Sequence, residues 1–272
     1  MPPIIPAVQY GFFQVLRQVE LAPEHFVIWG RLTPPPHQPI LPGSFLHLKV
    51  DPPGDYRMLW RPYSFLDYQP DTHQAAIYYR VVGEGTGQLC QRREGELLPA
   101  IYPLGTPFTH EGVSRAIMVA GGVGVAPLLM LYDRMRHSSP QLRVEFLFGA
   151  RSGRDLVPGL LEEFGVVARM ASEDGTLGHR GYITDLLPEV LEQGGWQMVY
   201  ACGPNPMLSA LADLLPEGLP CQVSLELPMA CAIGVCNGCN LPLRSDGGRY
   251  PRRLCVEGPV MDLREVDFAA LV

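Results

Sequence analysis

Two patterns of apolar and polar positions divide the chain. From Val8 to about Glu111 the apolar residues come in short runs, HFVIWGRL, SFLHLKV, YSFLDY and QAAIYYRVV, broken by Pro, Gly and Asp. That spacing predicts the strands of an antiparallel barrel or sandwich, with few helix signals. From Ser114 to about Pro220 the runs alternate instead: RAIMVA with APLLMLYDRMRH, LRVEFLFGA with LVPGLLEEF, VVARMA with ITDLLPEVLEQ, and QMVYACG with NPMLSALADLL. Strand alternating with helix predicts a parallel sheet in a doubly wound α/β domain. In the last pair Asn205 reads as the helix cap and Pro206 as the first helical residue. From Cys221 onward the chain is short, Gly-rich and Cys-rich, with no room for a core of its own. The expected organisation is multidomain α+β: residues 1–112 as an antiparallel β-barrel, 113–220 as a doubly wound α/β nucleotide domain, and 221–272 as a small C-terminal domain.

Composition narrows the class. With 272 residues, 47% of them apolar and 18% charged, the chain is an ordinary globular one with room for two substantial domains. A net charge of −7 leaves no basic footprint for nucleic acid or an anionic membrane surface, and neither partner is expected. The start, MPPIIPAVQYGFF, has no basic region followed by an apolar one, so a cytoplasmic protein is expected. The uncharged stretch AIMVAGGVGVAPLLMLY is shorter than the ~20 residues of a spanning helix and is interrupted by Gly and Pro. It reads as a strand, a glycine turn and a helix start.

The strongest chemical signal is MACAIGVCNGC together with Cys255. Cys231, Cys236, Cys239 and Cys255 form C-x4-C-x2-C-x15-C, the plant-type spacing for a [2Fe–2S] cluster. Structural zinc is the alternative, but zinc modules usually pair two C-x2-C knuckles and only one is present; free thiols are the third reading. Disulfides are disfavoured in a reducing compartment. RPYSF, Arg61 to Phe65, puts a guanidinium, a ring and a hydroxyl within reach of a phosphate and a flat heterocycle. VVGEGTGQL offers Gly83, Gly85, Thr86 and Gly87 at a turn into a helix, a phosphate-binding arrangement. VAGGVGVAPL places Gly121, Gly122 and Gly124 between the first strand and first helix of the α/β domain, without the full G-x-G-x-x-G fingerprint because Pro127 takes its last place. YACGPNPML ends another strand with Cys202 and Gly203, where a polarizable thiol could face a ligand ring or simply pack.

In their order these motifs resemble the ferredoxin reductase-like flavoproteins. Within them they resemble the electron-transfer subunit of two-subunit bacterial dihydroorotate dehydrogenase, over essentially the whole chain. PLGTPF, SEDGTLGHRGYITDLL and CVEGPV carry the likeness between and beyond the motifs above. The resemblance implies an FAD barrel, a pyridine-nucleotide domain and a [2Fe–2S] tail. By position, Arg61, Pro62, Tyr63 and Ser64 would hold FAD, with Ser64 at the reactive edge of the isoalloxazine, and Gly85, Thr86 and Gly87 would hold its pyrophosphate. Gly121, Gly122 and Gly124 would admit NAD(H), with NADP(H) as the alternative, and Cys202 and Gly203 would lie near the nicotinamide. Ser64 and Cys202 are the expected catalytic positions, and the four cysteines the iron ligands. Ala232 stands where such subunits usually have Gly, and Glu257 where Asp is common.

A nicotinamide exchanges two electrons together and a [2Fe–2S] cluster one at a time, while a flavin can do both, which explains three sites on one chain. The resemblance implies that dihydroorotate is oxidised on a separate FMN subunit, with the two chains forming a heterotetramer in pyrimidine biosynthesis, and that NAD+ leaves as NADH. Three rivals stand beside this: the small subunit of an NADPH-dependent ferredoxin or sulfide oxidoreductase, a redox- or metal-sensing interaction module, and a stand-alone ferredoxin-type or oxygenase reductase, which would usually carry a longer ferredoxin domain. For the nucleotide, Glu173 and Asp174 offer an acid for a ribose, and Arg151, Ser152 and Arg154 offer partners for a 2′-phosphate. Arg244, Arg249, Arg252 and Arg253 crowd the segment between the third and fourth cysteines, either as solvated surface or to steer an acidic partner.

Overall fold

Strand β1 (Gln9–Ala22) opens with strict alternation: Gln9, Gly11, Phe13 and Val15 are buried while their neighbours are more open. The computed structural model describes residues 8–51, 60–244 and 252–271. After β1 come β2 (His25–Thr33), β3 (Phe45–Leu48), β4 (Arg61–Gln69), β5 (Gln74–Arg80), the short helix α1 (Glu84–Leu89) and β6 (Leu97–Leu104). They close an antiparallel barrel in the order β1-β2-β5-β4-β3-β6, and closure removes the exposed edges that an open sheet would leave. The apolar runs marked β2 to β5 but not the other two strands. β1 alternates too many polar residues to form a run. β6 carries Pro99 and Pro103, residues that argue against an interior strand. Pro99 nevertheless sits opposite Phe12 of β1, and its carbonyl accepts the Lys49 N–H at 2.9 Å.

The second architecture begins with β7 (Arg115–Gly121), a strand with six successive buried residues from Ala116 to Gly121. It continues through α2 (Val125–Ser138), β8 (Arg143–Ala150), α3 (Pro158–Glu163), β9 (Ala168–Ser172), β10 (His179–Arg180), α4 (Leu187–Glu192), β11 (Met198–Cys202), α5 (Asn205–Leu214) and β12 (Cys221–Ser224). The tail adds β13 (Asn240–Leu241), β14 (Arg252–Arg253), the single turn α6 (Leu254–Glu257) and β15 (Val260–Asp262). The sheet order is β10-β9-β8-β7-β11-β12-β15, parallel throughout except for β15. A continuous apolar strand such as β7 fits a sheet covered on both faces. Helix α5 starts at Asn205, so Pro204 occupies the cap position and Pro206 is the second helical residue, a one-residue correction to the expected cap.

The chain forms two compact units. The barrel, residues 8–51 and 60–107, gathers 227–240 and 252–259 into one of them; the parallel sheet gathers 108–226, 241–244 and 260–271 into the other. The residues after Cys221, expected as a piece of their own, are shared out between the two. The physical reason is their shortness: with no core of their own, they bury apolar side chains in the core at hand, as β12 and β15 do by extending the sheet.

His47 on β3 is 1% exposed, and neither of its ring nitrogens reaches a hydrogen-bond partner. Burial lowers its pKa to about 4, with the nearby backbone of Trp60 and Met229 working in the opposite direction. The folded pKa lies below the ordinary 6.5, so the unfolded chain takes up the proton first. Stability is therefore expected to fall as pH drops from about 6.5 to about 4, by up to about 3 kcal/mol for this group alone. Urea unfolding across that range checks it, and in His47→Leu the slope should flatten; an unchanged slope would remove His47 from the account.

Candidate functional site

The guanidinium of Arg61, at the start of β4, lies across Gly85 of α1, where a Cβ would collide with it. RPYSF and GEGTG, distant in sequence, thus meet at one point. Asp51, buried behind them, engages Arg61 from Oδ1 to Nη1 at 3.5 Å, while its Oδ2 has no hydrogen-bond partner. Tyr63 is 8% exposed and meets Tyr79 edge-on with ring centroids 6.1 Å apart. The Tyr79 hydroxyl donates to Gln18 Oε1 at 2.8 Å, and Gln18 Nε2 donates to the Cys90 carbonyl at 2.8 Å. This braces the wall behind Tyr63. The Tyr63 hydroxyl itself is buried with no partner, and desolvation raises its pKa against the pull of Arg61, so it stays a phenol. An unpaired buried hydroxyl costs roughly 1–3 kcal/mol, which a ligand group placed there would recover.

Ser64 is half-buried beside Tyr63 and pairs with Phe45; Pro62 is exposed. Thr86 Oγ1 accepts the N–H groups of Val82 at 2.9 Å and Gly83 at 3.3 Å and lies 3.1 Å from the Gly83 carbonyl, to which it donates. Its hydroxyl therefore shapes the turn. Around Gly87 a Cβ would meet nothing within 4 Å, which leaves open space at the same turn.

In the parallel sheet the chain runs from β7 to β8 on one side and reaches β11 on the other, so the switch point lies between the C-terminal ends of β7 and β11. The glycines there do two different things. A Cβ on Gly121 would meet Met207 Sδ and Pro204 Cδ at 2.8 Å; one on Gly124 would meet the Cys202 carbonyl oxygen at 2.5 Å; one on Gly203 would meet Met207 Cε at 2.6 Å. These three let two strand ends touch. Gly122, at φ +53° with nothing within 4 Å, leaves open space at the turn into α2. Cys202 is 1% exposed, and desolvation, with the charge of Glu226, raises its thiol well above the ordinary value. It is a neutral thiol, suited to packing on a ring.

Sequence reasoning passed over Glu226 and Ser224. Ser224 is the register partner of Cys202 across β11 and β12. Glu226 follows two residues later, open to solvent yet hemmed in closely enough that desolvation raises its carboxyl pKa. The signal was an acidic residue just past the end of a buried strand, in SLELP. At the ends of β8 and β9, the Asp174 N–H donates to the Arg151 carbonyl at 3.1 Å, and Thr176 Oγ1 donates to Asp174 Oδ1 at 2.6 Å and accepts the Gly153 N–H at 2.8 Å. The Thr176 hydroxyl and N–H hold the Asp174 carboxylate well below the usual range.

All four candidate iron ligands belong to the barrel's unit. The Cys236 N–H points at Cys231 Sγ, the Gly238 N–H at Cys236 Sγ and the Cys255 N–H at Cys239 Sγ, each at 3.4 Å. Burial works against a Cys231 thiolate, but donors from Cys236, Ile233 and Val235 outweigh it and bring the pKa down to about 7. Cys255 is pushed up to about 12 by burial and by its neighbour Cys239. Among the described residues no three His, Cys, Asp or Glu side chains close as tightly as a single metal ion needs. The thiols are linked in pairs through backbone N–H groups, an arrangement that suits an anionic iron–sulfur cluster.

Gly234, at φ +77°, passes so close to Val256 that a Cβ would stand 2.6 Å from its Cγ2. Ala232 also holds a left-handed backbone, φ +54°, at a cost of about 1 kcal/mol, which accounts for the glycine expected there. Glu257 Oε2 accepts the Arg253 N–H at 2.6 Å, and Arg253 Nη1 donates to the Gly234 carbonyl at 2.9 Å. Arg244 Nε donates to the Val266 carbonyl at 2.9 Å. Two of the four crowded arginines thus hold their own chain; Arg249 lies outside the described residues.

An antiparallel barrel joined to a switch-point α/β sheet is the architecture of ferredoxin reductase-type oxidoreductases. The solved NADH-dependent reduced ferredoxin-NADP oxidoreductase shares it at TM-score 0.82 and 24% identity, over 95% of this chain and 91% of that one. The ferredoxin reductase of carbazole 1,9a-dioxygenase does so at 0.67 and 22%, over 79% and 68%. The family described as "Iron-sulfur cluster binding domain of dihydroorotate dehydrogenase B" matches residues 226–267, and "Oxidoreductase NAD-binding domain" matches 118–213. The "Dihydroorotate dehydrogenase B (NAD(+)), electron transfer subunit" of Caldanaerobacter subterraneus subsp. tengcongensis is 36% identical over 84% of this chain and 87% of its own length. That of Shouchella clausii is 32% identical over 94% and 97%. The chain belongs to the family of dihydroorotate dehydrogenase B electron transfer subunits.

Proposed function

We propose that this chain carries electrons between an FMN-containing dihydroorotate dehydrogenase catalytic subunit and NAD+, in a cytoplasmic heterotetramer serving pyrimidine biosynthesis. The observation that carries the reading is the membership of Cys231, Cys236, Cys239 and Cys255 in the same compact unit as the Arg61–Ser64 strand. When bound, FAD would exchange a hydride with the nicotinamide and single electrons with the [2Fe–2S] cluster. Arg61, Pro62, Tyr63, Ser64, Gly85, Thr86 and Gly87 would hold FAD: the unpaired Tyr63 hydroxyl and the open space at Gly87 fit a flavin nucleotide. Gly121, Gly122, Gly124, Cys202 and Gly203 would hold NAD(H), with the neutral Cys202 thiol offering a soft, water-excluding contact. The functional division we propose runs 1–112, 113–220 and 221–272. Among the described residues no helix is long and apolar enough to cross a membrane.

Co-purification with the catalytic subunit, followed by FAD, iron and labile-sulfide analysis, tests the reading; a colourless chain that binds no such subunit would end it.

A second reading, the small subunit of an NADPH-linked ferredoxin oxidoreductase, draws on Arg151 and Arg154, both exposed after β8. The two are separated by nucleotide preference. Asp174 stays ionised under all ordinary conditions, and a carboxylate near a 2′-phosphate repels it. NADH is expected to reduce the flavin at least roughly 10-fold more efficiently than NADPH, with Asp174→Ser narrowing the gap. Equal rates, or a preference for NADPH, would favour the second reading.

A further inference from the structure

On most of its outward face the barrel is polar, with Arg31 and Thr33 on β2, Asp67 and Gln69 on β4, and Gln74 on β5. One ring on that face is covered by a charge: the Arg17 guanidinium lies 3.6 Å from the centroid of Trp29. The β1–β6 wall is different. Tyr10 is 59% exposed, Phe12 37% and Leu97 56%. Their register sets Tyr10 opposite Ile101, Phe12 opposite Pro99 and Gln14 opposite Leu97, so one face of two neighbouring strands presents a continuous apolar strip.

The strip leads somewhere. The Tyr10 ring lies 6.0 Å from Phe12 and 6.1 Å from Trp60, and Trp60 lies 6.0 Å from His47. His47 in turn lies beside the backbone of Met229, two residues before the first ligand, Cys231. The cysteine loop that follows is open: Val235 is 74% exposed and Cys236 is exposed. Within one compact unit, the apolar barrel wall therefore abuts the segment that leads into the open cluster loop, with His47, itself 1% exposed, buried between them.

We propose that this surface, centred on Tyr10, Phe12, Leu97 and Trp60, is the docking face for the catalytic subunit. The inference rests on the function proposed above. A single electron tunnels efficiently only over a short span, so whatever partner exchanges electrons with the cluster has to cover the open loop at Cys236. A partner seated there meets the adjoining strip, and that strip has the composition of an interface centre, aromatic and without charge. The arginines near the loop are a weaker candidate, because Arg253 and Arg244 already bond to their own chain. The partner surface that fits is apolar, and binding should depend little on salt.

The test uses the full chain loaded with its cofactors and the purified FMN-containing, dihydroorotate-oxidising subunit from the same source. Tyr10→Glu/Leu97→Glu should bind that subunit at least about 30-fold more weakly, across a salt series, with iron content, flavin content and NADH-ferricyanide reductase activity unchanged. The milder Phe12→Gln, read the same way, guards against misfolding of the double variant. Undiminished affinity in both variants would overturn the proposal. So would a parent chain that is a dimer by itself and becomes monomeric in the variants, since a second copy would then cover the strip. A parent that never binds the FMN subunit would overturn the functional reading, and the docking face with it.

Discussion

Cys239→Ser is expected to give a folded flavoprotein that holds almost no iron or labile sulfide. Cys239 is 3% exposed, its carbonyl accepts the Leu254 N–H at 2.8 Å, and its sulfur receives the Cys255 N–H. It thus ties the C-x2-C turn to the segment bearing Cys255, the fourth candidate ligand. Serine preserves size and backbone, but a hard hydroxyl oxygen replaces a soft thiolate toward iron. Reduction of the flavin by NADH should persist, because the glycines and Cys202 of the sheet are untouched. Electron delivery to the catalytic subunit should fall below detection. Iron and sulfide assays, alongside stopped-flow flavin reduction, check both halves. A variant with parental iron content would take Cys239 out of the ligand set.

The second large effect concerns Gly124, and here the expectation is the reverse. Gly124→Ala should leave iron and flavin in place and cut NADH-driven flavin reduction by about 100-fold, since a displacement near 1 Å at a reacting centre costs that much. Its Cβ would stand 2.5 Å from the Cys202 carbonyl oxygen and 2.9 Å from the Gly203 nitrogen, both backbone atoms that cannot swing aside. The backbone at Gly124, φ −62°, suits alanine, so the effect would come from contact rather than from strain. Chemical reduction with dithionite should proceed as in the parent. A variant reduced by NADH at the parental rate would show that the ends of β7 and β11 can part without cost.

These two variants also separate what is written locally from what is not. The cluster-binding segment was legible because thiols spaced C-x4-C-x2-C suit a small cofactor and a tight loop, a constraint confined to a few neighbouring residues. The alternating strands and helices from Ser114 onward were legible for a similar reason: a parallel strand buried on both faces must be apolar throughout, and the helix beside it apolar on one face. β6 was not, because its prolines are tolerated only through the pairing that the closed barrel gives them.

The roles of the glycines were hidden as well. GGVG reads as one phosphate turn, yet Gly121 and Gly124 are small because of Pro204, Met207 and Cys202, about eighty residues further on, and only Gly122 faces open space. Glu226 belongs to the site by the end of β12, a strand whose place beside β11 no local pattern announced.

The sequence by itself determined the cofactor chemistry: cysteine spacing, the Arg-Pro-Tyr-Ser strand and the order of the motifs are properties of short segments. The tertiary structure decided which unit each segment joined, because burial of apolar surface is settled by whatever core lies within reach. That is why the residues after Cys221 are divided, β12 and β15 completing the sheet while the cysteine loop joins the barrel. It also left one barrel wall apolar and open beside the loop, a property of strand register that no single stretch of sequence contains.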